Sequence, residues 1–136
     1  KRKGGIPFVS DSGNDEKLRT SILALKEEGI QFEVGGHTDK LYDADIIVTS
    51  PGVPSDAEVI VTAIKNGKKV ISEIEFAFLF NQAKIIGITG TNGKTTTTSL
   101  MSHLLSEAGE KVITAGNIGI AFSDMVDSVG SDGYAV

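Results

Sequence analysis

The chain has no cysteine at any of its 136 positions, which excludes disulfides and thiolate metal sites and fits a reducing cytoplasm. It also lacks an apolar run long enough to span a bilayer, and no hydrophobic stretch follows the basic opening Lys1-Arg2-Lys3 to make a signal peptide. Neither a membrane nor a nucleic acid is an expected partner. The net charge of −5 and the pI near 5.0 argue against a broad nucleic-acid footprint, since phosphate-backbone binding needs clustered positive charge. Histidine is scarce: His37 sits in a glycine-rich turn and His103 on a helix, neither at metal-ligand spacing from another ligand, so neither is assigned to catalysis. Repeats and low-complexity tracts are missing too. What remains is a chain of one-domain length whose 40% hydrophobic content allows a real core.

Apolar segments alternate between strand and helix periodicity along the whole length. Ile6–Val9 reads as a strand ending in the turn Ser10-Asp11-Ser12-Gly13. Leu18, Ile22 and Leu25 recur at helical spacing over Asp15–Glu28, and Gly29 stops that helix. Ile30, Phe32 and Val34 alternate as a strand, and Asp45–Ser50 is the near-continuous apolar run of a central parallel strand. Ser55 with Glu58, and again Ser72 with Glu75, carry the capping-box pattern of a helix start. That explains Glu75, and its neighbour Glu73, as cap and solvated helix start rather than as paired catalytic carboxylates. A polar joint at Asn81-Gln82 marks a boundary near residue 83.

Beyond that joint, Ile85-Ile86-Gly87-Ile88 leads into Gly90-Thr91-Asn92-Gly93-Lys94-Thr95-Thr96 and then into a helix reaching about Ala108, with Leu100, Leu104 and Leu105 on one side. Strand, glycine loop, lysine, hydroxyl and helix follow in the order of a phosphate-binding loop. Backbone N–H groups of such a loop converge on anionic oxygens at the positive end of a helix. Lys94 supplies a full charge for β/γ-phosphates, and the Thr95 hydroxyl is placed to ligate Mg²⁺, with ATP as the expected nucleotide. The usual first glycine of the longer Walker spacing is Ile88 here, so the loop is of a shorter form. Val112–Thr114 reads as a strand, Ala115-Gly116-Asn117-Ile118-Gly119 as a second glycine-rich turn, Ala121–Val129 as a helix and Tyr134–Val136 as a final strand. The fold class is α/β: an incomplete Rossmann-like N-terminal domain over 1–83, then the start of a P-loop-type central domain over 84–136, with mainly parallel sheet.

The phosphate loop resembles that of the Mur ligase family, the ATP-dependent amide-forming enzymes of peptidoglycan synthesis. Three further stretches, Thr49-Ser50-Pro51-Gly52-Val53-Pro54, Ser72-Glu73-Ile74-Glu75-Phe76 and Ala115–Gly119, are similar to the branch that adds D-glutamate to UDP-N-acetylmuramoyl-L-alanine. Folate-tail ligases carry Gly-Lys-Gly-Ser where this chain has Gly93-Lys94-Thr95-Thr96 and fit less well. The resemblance implies a cytoplasmic, monomeric parent enzyme that activates a carboxylate with ATP. It implies that this chain is part of it, with further metal ligands, a carbamylated lysine and the D-glutamate domain beyond Val136.

Residue roles follow from the same resemblance. Lys94 and Thr95 are the catalytic candidates, residues 90–96 cradle ATP, and Thr95 is the metal ligand. Asp11 and Ser12 stand where α/β nucleotide-binding sheets read a ribose or base, here the UDP moiety, with a plain turn as the competing reading. Ser50, Pro51 and Gly52 follow a central strand and are substrate candidates, although Pro51 also suits a purely structural loop. Asn117 is a substrate contact or simply a turn residue. Another Mur-type, polyglutamate or cyanophycin-type ligase, and a P-loop module that binds ATP without ligating, are the alternatives. Open strand edges at Ile6–Val9 and Tyr134–Val136 are expected to favour self-association of the isolated chain.

Overall fold

The computed structural model describes residues 1, 3–13, 18–116 and 120–136. Its elements run β1 (Phe8–Asp11), α1 (Arg19–Glu27), β2 (Gln31–Val34), a 3-10 turn (Asp39–Asp43), β3 (Ile46–Thr49), α2 (Glu58–Lys65), β4 (Lys69–Ser72), α3 (Glu73–Phe78), β5 (Lys84–Ile85), α4 (Lys94–Glu107), β6 (Lys111–Ile113), α5 (Phe122–Met125) and β7 (Gly133–Ala135). By contacts the chain divides into two compact units, residues 1–47 with 54–70, and residues 48–53 with 71–136.

In the first unit β1 and β2 pair in parallel, Phe8 opposite Gln31 through Asp11 opposite Val34. Leu18, Ile22 and Leu25 are the half-buried positions of the helical segment, as their spacing predicts. Strand β1 starts later than the apolar run suggests: Ile6 is 98% exposed, and Asp11 is the last strand residue rather than part of the turn. The register decides this, because Gln31–Val34 offers partners only to residues 8–11. Helix α2 is also displaced from its predicted start. Ala57 is its N-cap without a side-chain bond, and the Ala57 N–H donates to Pro54 O across a turn, so Ser55 and Glu58 form no capping box and Glu58 is simply the acid of the first turn. Strand β3 pairs with β4.

The second unit is organised by a parallel sheet in the order β5-β7-β6. Strand β7 therefore lies inside, paired on both sides, which corrects the expectation of an open edge at Tyr134–Val136. Its centrality depends on Gly133, opposite Lys111 of β6. One face carries the core: Ala77, Ala83, Ile113, Phe122, Val126, Val129 and Ala135. The capping box predicted at Ser72 and Glu75 is formed. Ser72 Oγ accepts from the Glu75 N–H at 3.1 Å, and Glu75 Oε2 accepts from the Ser72 N–H at 2.8 Å.

Two further expectations are revised. Helix α5 spans only residues 122–125, although Val126 and Val129 beyond it still enter the core. On α4 the half-buried stripe runs through Thr98, Met101, Ser102 and Leu105, while Leu100 and Leu104 are each 55% exposed. At 3.6 residues per turn Leu100 and Leu104 point away from that stripe, so only Leu105 of the three leucines sits on the covered side.

Candidate functional site

Strand β5 ends at Ile85, and the Ile86 N–H still donates to Ala135 O at 2.8 Å before the chain leaves the sheet. The extended run is shorter than its apolar sequence suggests because β7's last paired residue is Ala135. From there the chain passes through Gly87 to Asn92 into α4. Gly93 is the N-cap of α4 with φ 78°, a left-handed conformation that side-chain-bearing residues rarely adopt, and Thr97 N–H closes the first helical turn on Gly93 O at 2.9 Å.

The starts of α3 and α4 differ in one respect that bears on chemistry. Helix α3 satisfies its N-terminus with its own Ser72 and Glu75 side chains. Helix α4, 14 residues long, has no side-chain cap and no acidic residue in its first turn. Its N-terminal N–H groups and positive dipole end are therefore open to an anion. Lys94 stands at the same place: its ammonium donates to Gly90 O and, at 3.3 Å, to Thr91 O, which folds the side chain back over the loop. Thr91, Asn92, Thr95 and Thr96 are exposed beside it. The loop residues predicted from sequence are thus brought together, and their donors suit a phosphate. Among the described residues no group of three His, Cys, Asp or Glu could hold a metal on protein ligands alone. A Mg²⁺ carried on nucleotide phosphates and touched by the Thr95 hydroxyl is compatible with this donor set.

Next to the loop lies a cavity of about 310 Å³ within the same unit. Ile74 and Phe78 of α3, Phe122 of α5 and Gly116 line it, with Lys94 and Thr98 of α4. It is a largely apolar chamber with the loop lysine at its wall. The Asn117 assignment lies outside the described residues.

The remaining substrate candidates occupy strand ends. Asp11 closes β1, and its Oδ1 accepts from the Gly13 N–H at 2.7 Å, so its carboxylate shapes its own turn; Ser12 is exposed beside it. Ser50, Pro51 and Gly52 follow β3 in a tight turn whose Val53 N–H donates to Ser50 O at 3.0 Å, with Pro51 at the second turn position. All three are exposed.

One polar cluster escaped the sequence reading. Ser10 Oγ donates to Glu33 Oε1 at 2.6 Å and lies 2.6 Å from His37 Nδ1. A hydroxyl has one proton, so with Ser10 donating to Glu33, His37 donates its Nδ1–H to Ser10. Thr38 adds its N–H to Glu33 Oε1 at 3.1 Å and its Oγ1–H to Oε2 at 2.6 Å. Partial burial alone would push the Glu33 carboxyl up. The bonds from Ser10 and Thr38 and the charge of nearby His37 outweigh it and hold that carboxyl below its ordinary value. The cluster joins β1 to residues beyond β2, a pairing no local pattern could reveal.

A glycine loop closing on an uncapped helix at the mouth of a parallel sheet defines an α/β phosphate-loop protein. Comparison with known proteins narrows the class. A model described as the MurD N-terminal domain matches residues 3–59, and one described as the Mur ligase middle domain matches residues 88–131. The UDP-N-acetylmuramoylalanine--D-glutamate ligase of Salinibacter ruber is 46% identical over 128 residues, covering 90% of this chain and 27% of its own length. That of Bacteroides fragilis is 45% identical over 138 residues, covering 100% of this chain and 30% of its own length. Among solved structures, a pseudomurein peptide ligase type C from Methanothermus fervidus aligns with a TM-score of 0.51 at 28% identity, covering 99% of this chain and 28% of that one. The chain belongs to the Mur ligase family, and it spans less than a third of the length of these relatives.

Proposed function

We propose that this chain forms part of a cytoplasmic, ATP-dependent ligase that adds D-glutamate to UDP-N-acetylmuramoyl-L-alanine in peptidoglycan precursor synthesis. The observation that carries the reading is the loop 90–96 closing on the uncapped N-terminus of α4, in a chain similar along most of its length to proteins named for that reaction. Residues up to about 83 hold the UDP-substrate part and residues from 84 the ATP part.

In this reading ATP and the UDP-sugar are substrates, and the chain's residues hold and neutralise them. Backbone N–H groups from Gly90 to Thr96 cradle the triphosphate, while Lys94 swings from the carbonyls of Gly90 and Thr91 onto phosphate oxygens. The Thr95 hydroxyl would help hold Mg²⁺, which when bound would offset phosphate charge. The alanyl carboxylate takes the γ-phosphoryl group as an acyl phosphate, and the D-glutamate amine displaces phosphate from it. Asp11 and Ser12 hold the uridine end, and Ser50, Pro51, Gly52 and Asn117 contact the rest of the UDP-sugar. Phosphoryl transfer of this kind needs positioning and charge neutralisation more than covalent help.

The test is ADP release by the whole protein with each substrate omitted in turn. Release is expected only with the UDP-muramoyl-alanine acceptor and D-glutamate both present. Equal release with another amino acid assigns the protein to a sister ligase, and nucleotide binding without substrate-dependent release makes it a non-catalytic ATP-binding module.

A further inference from the structure

Glu73 has a use that its position at a helix start conceals. The cap of α3 is fully served by Ser72 and Glu75, which leaves the Glu73 carboxylate free of its own helix. It reaches instead across fifty residues of chain, where its Oε1 accepts from the Ser123 N–H at 2.6 Å in a half-buried setting. Helix α5 has no side-chain cap of its own from Ala121, so this carboxylate substitutes for one. The contact bridges two walls of the cavity beside Lys94, since Ile74 and Phe78 come from α3 and Phe122 from the residue before Ser123. Phe122 is buried in the same core as Ala77 of α3.

We infer that Glu73 is a positioning residue: by holding the Ser123 N–H it fixes the start of α5, and with it the wall formed by Phe122, at a set distance from Lys94. The inference rests on the ligase reading for its catalytic consequence but not for the contact itself. Charge-assisted bonds to backbone N–H groups are short and strong, and a reacting carboxylate must be held to within a fraction of an ångström for phosphoryl transfer. The triphosphate is held by the loop 90–96, to which Glu73 makes no bond among the described residues. Losing the clamp should therefore lower kcat and spare the KM for ATP.

The experiment compares Glu73→Ala, Glu73→Gln and Ser123→Pro in the whole protein. Glutamine keeps an acceptor oxygen, and proline at Ser123 removes the donor together with the serine hydroxyl and disfavours helical backbone at Phe122, so Glu73→Ala is the primary variant and Ser123→Pro the supporting one. Amide exchange at Ser123 is expected to accelerate by at least about tenfold in Glu73→Ala and to stay near wild type in Glu73→Gln. Turnover is expected to fall by about tenfold in Glu73→Ala and in Ser123→Pro, with KM for ATP within about twofold of wild type and recovery in Glu73→Gln. Unchanged exchange at Ser123 in Glu73→Ala overturns the clamp. Faster exchange with unchanged kcat, or a rise in KM for ATP that matches the fall in kcat, overturns its positioning role. A wild-type protein without ligation defeats the functional reading instead, and the exchange arm still decides whether Glu73 orders this segment.

Discussion

Replacing Lys94 with alanine is expected to lower ligation by the whole protein by at least about 10²-fold, the size of effect seen when one preorganised electrostatic donor is removed. The lysine contributes little to the fold. Its side chain is exposed and its two acceptors, Gly90 O and Thr91 O, are loop carbonyls that water can serve in its absence. In the proposed ligase reading its value lies in the reaction, where negative charge shifts among the phosphate oxygens and a fixed ammonium would stabilise the redistributed charge more than the starting one. Thermal unfolding of the variant should stay close to wild type while kcat collapses. Near-normal turnover would remove the loop from the mechanism, whatever its resemblance to phosphate loops. A large loss of folding stability would show that Lys94 acts structurally.

The second large effect is on the fold and falls at Gly133. A Cβ built at this position would overlap Val129 Cγ1 and lie 2.7 Å from Lys111 O and 3.0 Å from Lys111 Cβ. Val129 is β-branched and buried in the core, and Lys111 O belongs to the backbone of the paired strand, directly across from Gly133, so neither yields cheaply. Gly133→Ala must therefore part β6 from the central strand β7. Overpacking of this kind costs about 1–3 kcal/mol, which for a unit of this size lowers the melting temperature by about 4–8 °C for each kcal/mol. Urea or thermal unfolding measures it. An alanine variant that melts with wild type would mean that β6 and β7 do not approach as closely as described.

These two residues also show what sequence reveals and what it hides. The placement of Gly93-Lys94-Thr95 at the start of α4 was legible because it is local: strand, loop and helix start lie within a dozen residues. The capping box at Ser72 and Glu75 was legible for the same reason. The identical pattern at Ser55 and Glu58 failed because the Pro54 carbonyl accepts from the Ala57 N–H in a turn that delays the helix. Features set by distant partners were not legible. Gly133 looks like any turn glycine until β7 is found between β5 and β6. Tyr134–Val136 reads as an open edge for the same reason. Glu73 looks like a helix-start acid until Ser123 arrives from fifty residues on, and Ser10, Glu33, His37 and Thr38 converge only when β1 and β2 pair in register. Leu100 and Leu104 match a helical stripe, yet which stripe is covered depends on where the sheet lies.

The claim that this loop serves carboxylate activation by ATP can be tested by following oxygen. The whole protein is supplied with ATP, Mg²⁺, D-glutamate and UDP-N-acetylmuramoyl-L-alanine whose alanyl carboxylate carries ¹⁸O. If that carboxylate takes the γ-phosphoryl group and the amine then displaces phosphate, one labelled oxygen leaves with the phosphate for each amide bond formed. The account predicts ¹⁸O-labelled inorganic phosphate in step with product and in the presence of D-glutamate. Unlabelled phosphate accompanying amide formation would contradict it.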